Sequence, residues 1–141
     1  MRIALLYNCV VKATDAATPL PQDWHTVIMR FADSYRQFFP ALLHDFFICS
    51  SGAPLGVSHR RVFADLSFKE ITYRGSGWDV GAYQYAARAL TSYDFVLCLN
   101  TQAFIAHPQW LDAFANAFDA VGPGVVGSSS SFEVCPHIRT A

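Results

Sequence analysis

A three-layer αβα sandwich around a mostly parallel sheet is the fold class this sequence predicts, and three observations predict it. Short, nearly continuous apolar runs recur at residues 3–7, 46–49, 95–99 and 125–127, as strands buried on both faces of a parallel sheet do. Segments with helical spacing of apolar side chains separate these runs, so strands and helices alternate. Chain breakers, notably Pro40 and Gly122, close the helical segments, which leaves connections of the βαβ crossover type.

The elements follow in order. After the first strand, residues 13–22, rich in Thr and Pro, form a loop over the sheet edge. Trp24, Val27, Ile28, Phe31, Tyr35, Phe38 and Phe39 then recur at helical spacing, with Asp23 placed to cap the start and Pro40 to end the pattern. His25 falls on the exposed side of that helix, and His44 with Asp45 opens the second strand. Residues 58–61, SHRR, read as a solvated basic cluster in an unassigned connection. A strand over 68–73 alternates through Phe68, Ile71 and Tyr73 and belongs nearer a sheet edge. A second helix over 79–90 takes Asp79 as its N-cap and turns Tyr83, Ala86, Ala87 and Leu90 inward. A third starts at Pro108, carries Leu111, Phe114, Phe118 and Val121 inward, and stops at Gly122. The aromatic stripes on these helices read as core.

The bulk numbers bound the rest. A chain of 141 residues, 52% hydrophobic and 15% charged, holds one buried core, so residues 1–141 form a single domain. Ten Lys+Arg against eleven Asp+Glu give no electrostatic footprint for nucleic acid or an anionic membrane. There is no apolar run of the ~18 residues a spanning helix needs and no signal-type cleavage site, so a cytoplasmic location is expected. Cys9, Cys49, Cys98 and Cys135 lack CxxC spacing and read as buried, reduced thiols.

Ligands of such sheets bind at the carboxyl ends of the strands. That rule selects Asn8 and Cys9, residues 50–52, Asn100 to Gln102, and the serines at 128–131. The first strand ends in NCVVKATDA and not in the glycine-rich turn that a dinucleotide pyrophosphate needs, and a P-loop is missing. GSGWDVG, residues 75–81, has the wrong glycine spacing for either motif but puts a turn before a helix whose N–H groups could face a phosphate. There is no GxSxG elbow, no HEXXH spacing, and no nucleophile near the histidines. A hydrolase using Cys9 or Cys49 is the residual enzymatic alternative.

The stretch GWDVGAYQYAARALTSYDFVLCLNTQAFIAHPQWLDAF, residues 77–114, resembles the central part of the GT-A class of nucleotide-sugar glycosyltransferases. In that class a glycine-containing turn and helix lead into a strand whose end meets the donor diphosphate. RIALLYNCV resembles its nucleotide-contacting first strand, and VGPGVVGSSSSFEVCPHIRTA the strand and loop that begin the acceptor side.

The resemblance implies a Rossmann-like donor-binding domain, incomplete at its C-terminus. It also implies a nucleotide-sugar donor and a saccharide or other hydroxyl acceptor. Asn8 and Cys9 then lie near the base or ribose, Asp79 near the nucleotide, and Asn100 and Gln102 at the two positions of the family's metal-binding DxD motif. Two neutral amides are poor ligands for a hard divalent ion, which needs anionic oxygens to offset its dehydration. Metal-independent chemistry is therefore expected, with His137 and Arg139 of PHIRT as the cationic candidates for the departing diphosphate. The competing reading is a non-catalytic α/β ligand-binding or interaction module.

Overall fold

The computed structural model describes residues 1–12, 22–76 and 78–122, without the side chains of residues 22, 23 and 78. The expected strand at 125–127, the serine run, Cys135, His137, Arg139 and most of the loop at 13–22 lie outside the described residues.

Among the described residues four parallel strands form one sheet: β1 (Ile3–Val10), β2 (His44–Ser51), β3 (Lys69–Tyr73) and β4 (Phe95–Leu99), in the order β3-β2-β1-β4. Helices α1 (Gln22–Gln37), α2 (Val57–Val62), α3 (Trp78–Ala89) and α4 (Trp110–Val121) connect or follow them. This is the alternating α/β architecture with a Rossmann-like strand order. β3 stands at the edge, as its alternating side chains predict.

Alternation along β1 sends its side chains to two separate apolar clusters. Ile3, Leu5, Tyr7 and Cys9 join Phe46, Ile48, Phe95 and Leu97 under Ile28, Phe31, Tyr35, Phe63 and Leu111. Ala4 and Leu6 join Phe47 and Cys49 under Ala82, Ala86 and Leu90 of the α3 segment. The chain passes from β1 to β2 to β3 in one direction and then returns to β4 on the other side of β1. Crossovers of one hand must then lie on opposite faces of the sheet, which is where α1 and α3 pack.

The centre of the larger cluster is aromatic. Tyr7 stacks on Phe31 with ring centroids 3.8 Å apart and planes 3° from parallel, and Phe63 meets Tyr7 edge-on at 6.0 Å. The expected helices form with small shifts. α1 starts at Gln22, so Asp23 falls in its first turn and does not precede it. α3 starts at Trp78, which makes Asp79 its second residue and not its cap. Ala82 takes the inward place expected of Ala87, which is exposed. α4 starts two residues after Pro108 and ends at Gly122, whose φ of +77° suits glycine. Val121 is 69% exposed and does not point inward.

The connection after β4 runs down α1 in step with the helix. Arg30 Nη2 donates to the Gln102 carbonyl at 3.0 Å, Ile105 N–H to Ser34 Oγ at 2.9 Å, and Trp110 Nε1–H to the Phe38 carbonyl at 3.0 Å. Positions 30, 34 and 38 are one helical turn apart, so one stripe of α1 spaces all three ties.

The SHRR segment is helical, and its two arginines are exposed as a solvated cluster is expected to be. It lies in α2, with His59 fully buried and the side chain of Arg60 half-exposed and paired with Glu70 of β3. The other carboxylate oxygen of Glu70 accepts the Ser50 hydroxyl and the Leu55 N–H, both at 2.8 Å. Burial raises the Glu70 carboxyl, but the donors from Leu55, Ser50 and Arg60 outweigh it and hold Glu70 below the usual glutamate range.

A group lowered on folding stabilises the protein above its unfolded value and loses that contribution as pH falls through the folded one. Urea unfolding midpoints of the unaltered chain should therefore drop on acidification from about pH 5 to pH 3. Glu70→Gln should flatten that drop. Parallel pH profiles for the two proteins would refute the assignment.

Candidate functional site

At the carboxyl end of the sheet, β1 lies between β2 and β4, and the strand order reverses beside it. Open α/β sheets place their ligand crevice at this switch point. β1 carries a polar residue there, Asn8, which is fully buried on the face that α3 covers. A buried amide must have its donors and acceptors met. Its Oδ1 accepts the Ser51 hydroxyl at 2.5 Å, and its Nδ2 donates to Oδ1 of Asp79 in a short hydrogen bond.

Asp79 was expected to cap α3. Its carboxylate instead reaches across to β1, because α3 begins one residue before it. The start of that helix is set by close packing. The Tyr73 hydroxyl donates to the Ser76 carbonyl, and a Cβ added at Gly75 or Gly81 would fall 2.5 Å from that hydroxyl. Gly75 and Gly81 thus let an aromatic side chain lie against the helix start. The carboxylate in this first turn makes the corner a poor site for phosphate, contrary to what the motif suggested.

The LNTQ turn after β4 lies directly beside β1. Thr101 is buried, its hydroxyl donates to the Asn8 carbonyl at 2.8 Å, and its own carbonyl accepts the Tyr7 hydroxyl at 2.8 Å. Asn100 and Gln102 flank it and are exposed. The Asn100 side chain accepts the Gln102 backbone N–H at 3.1 Å, the geometry of an Asx turn. This explains why the strand stops: the middle residue locks the turn to β1 while its two neighbours project outward.

Asn100 and Gln102 line a cavity of about 550 Å³ on the outer side of β4, together with Tyr83, Phe104 and Trp110. That volume lies in the range of small-molecule sites. Asn8 and Asp79 do not line it, so these four residues form two groups, joined through Thr101. Tyr83, one turn after Asp79 on α3, joins them. Burial first, and the nearby Asp79 charge second, raise its hydroxyl above the ordinary tyrosine range.

Cys9 is the clearest correction to the expected site. The strand pleat turns it away from Asn8 and into the larger apolar cluster, fully buried, where it is core. Cys49 is buried in the other cluster, and burial raises its thiol. A nucleophile needs an accessible, lowered thiol, so neither cysteine fits the hydrolase alternative. Cys98 is exposed, and the reading of every cysteine as buried fails there.

Ser51 and Thr101 lie in the strand-end segments the sequence selected, but their roles were not read from it; Tyr83 was read as core, and Lys12 and Arg74, also at this end of the sheet, were not singled out. Lys12 and Arg74 are exposed and follow β1 and β3 closely, a position that marks them as rim cations. Among the described residues there is no group of three His, Cys, Asp or Glu side chains able to hold a metal ion. Among them, too, no helix is long and apolar enough to cross a membrane. No family model matches the chain, and no curated protein or solved structure matches it.

Proposed function

We propose that this chain is the donor-binding part of a GT-A-class glycosyltransferase. Its ligand is a nucleotide-sugar, whose anomeric carbon is attacked by an acceptor hydroxyl while the nucleoside diphosphate leaves. One observation carries the reading. The LNTQ turn, at the position of the DxD motif in that class, is bonded through Thr101 to the backbone of Asn8, which also holds Asp79. Helices on both faces of the sheet support the three-layer arrangement of that class.

In this reading Asp79 orients the nucleoside through hydrogen bonds, and the buried Asn8 acts through it by holding its carboxylate in place. Asp79 keeps its second carboxylate oxygen for a ribose hydroxyl or a base N–H. The Asn100 and Gln102 amides face the sugar and phosphates as neutral partners. The charge of the leaving diphosphate is met by cations and not by a divalent ion, since amide oxygens do not offset the dehydration of a hard metal. Lys12 and Arg74 on the crest, and His137 and Arg139 beyond the described residues, supply the candidates.

Calorimetric titration with UDP-, GDP- and dTDP-sugars tests it. At least one donor should bind at millimolar concentration or below, with an affinity unchanged by manganese. Asn8→Ala should weaken that binding about tenfold or more, a lost buried hydrogen bond being worth roughly 1–3 kcal/mol. The proposal fails if no donor in the panel binds.

A further inference from the structure

The opposite pole of the molecule carries an apolar surface that the sheet-end site does not use. Leu43, in the turn between α1 and β2, is 92% exposed, Met1 beside it is 55% exposed, and Phe39, further along the same groove, is 62% exposed. Met1, Ile3 and Leu43 form a ridge between two cavities of about 340 and 450 Å³. The second continues through Ala41, Asp112 and Asn116 into a third of about 580 Å³ that Phe39 lines. Apolar surface gathered this way on a small domain marks an interaction site.

The charges on its two flanks differ. On one flank Arg2 lies over the Tyr93 ring at 5.6 Å, with no ion pair among the described residues. The acids beside it are engaged: Asp45 by Lys69 and the Tyr93 hydroxyl, Asp94 by the Arg2 backbone N–H. On the other flank Asp112 and Asp119, two turns apart on α4, line the groove and have no ion pair among the described residues.

We propose that this pole is a self-association surface that binds a second copy of the chain about a two-fold axis through the Met1–Leu43 ridge. An isologous contact turns each flank onto the opposite flank of the partner. Arg2 of one copy then faces Asp112 and Asp119 of the other, and the two Leu43 side chains pack against each other at the axis. A ridge with one uncommitted cation on one side and two uncommitted carboxylates on the other is complementary to its own rotated copy. The proposal is independent of the donor-binding reading, because the surface lies at the other end of the strands.

Sedimentation of the full chain over a concentration series tests it. The mass should rise with concentration towards twice that of the monomer and no further. Leu43→Asp should weaken association at least about tenfold, as loss of a central apolar contact does. That side chain is exposed, so the substitution leaves the core intact. Arg2→Glu should weaken association too, and adding Asp119→Arg to it should restore what was lost. A constant monomer mass overturns the proposal. Association indifferent to Leu43→Asp, or a charge reversal that the second substitution does not rescue, overturns it as well.

Discussion

Tyr7→Ala will lower the free energy of unfolding by about 3–5 kcal/mol, the usual cost of removing a fully buried aromatic side chain. Tyr7 has no exposed surface, and three features meet in it. Its ring stacks on Phe31 and meets Phe63 edge-on, which ties β1 to α1 and to the end of α2. Its hydroxyl reaches the Thr101 carbonyl at 2.8 Å, which ties the core to the LNTQ turn. Burial raises that hydroxyl above the ordinary tyrosine range, which favours the protonated form that donates to Thr101.

Tyr7→Phe isolates the last of these contacts. It keeps the ring and leaves the Thr101 carbonyl without its partner, at a cost of about 1–3 kcal/mol. Urea denaturation of the three proteins measures both steps. If Tyr7→Phe is as stable as the unaltered chain, Thr101 is not held from beneath. Loss of the hydroxyl should also loosen donor binding if the turn contacts the ligand, because Asn100 and Gln102 flank the carbonyl it anchors.

Gly52→Ala is the second large effect expected. Gly52 has φ +103°, in the region that side chains with a Cβ avoid, and strain there costs about 1–3 kcal/mol. A methyl group at this position would also press into the Val11 carbonyl oxygen, a backbone atom that cannot rotate aside. That carbonyl belongs to a residue whose N–H is bonded to the Ser51 carbonyl at 2.8 Å, while the Gly52 N–H is bonded to the Tyr73 carbonyl at 2.8 Å. Relief of the clash therefore displaces the carboxyl ends of β1, β2 and β3 together. Thermal unfolding should show a drop larger than the strain alone. Asn8, held by the neighbouring Ser51, should become more exposed to hydrogen exchange at its side-chain amide. An unchanged midpoint would contradict the close approach of these strands.

Much of the framework was legible as pattern. The unbroken apolar runs around Leu5, Phe47 and Leu97 read as doubly covered parallel strands, and β3 with its alternating Ile71 and Tyr73 read as an edge. The apolar spacing from Trp24 to Phe38 marked α1 because one face of a helix repeats every three to four residues. Helix α2 escaped because six residues show too little periodicity, and His59 among arginines looks solvated although the fold buries it. The role of Arg30 escaped for a related reason: a cation on the outer face of a helix carries no mark of the carbonyl and ring it will meet, Gln102 and Phe104.

The site divides in the same way. Asn8, Asp79, Asn100 and Gln102 were marked by their place at strand ends and a helix start, because parallel sheets put ligands there. Cys9 was marked by the same rule and is core, since adjacent residues of a strand face opposite sides and covering helices decide which side is solvent. Ser51 and Thr101 fall in strand-end segments marked by the same rule, but which partners they and Tyr83 would meet is not a local property of common polar residue types.

Periodicity and chain breakers are properties of neighbours in the chain, so the order of strands and helices was implicit in the amino-acid string. The contacts from Asn8 to Asp79 and from Tyr7 to Thr101 span 71 and 94 positions. Such pairs exist once the sheet has been ordered β3-β2-β1-β4 and both faces have been covered. Packing in three dimensions, which a linear pattern does not encode residue by residue, chose these partners.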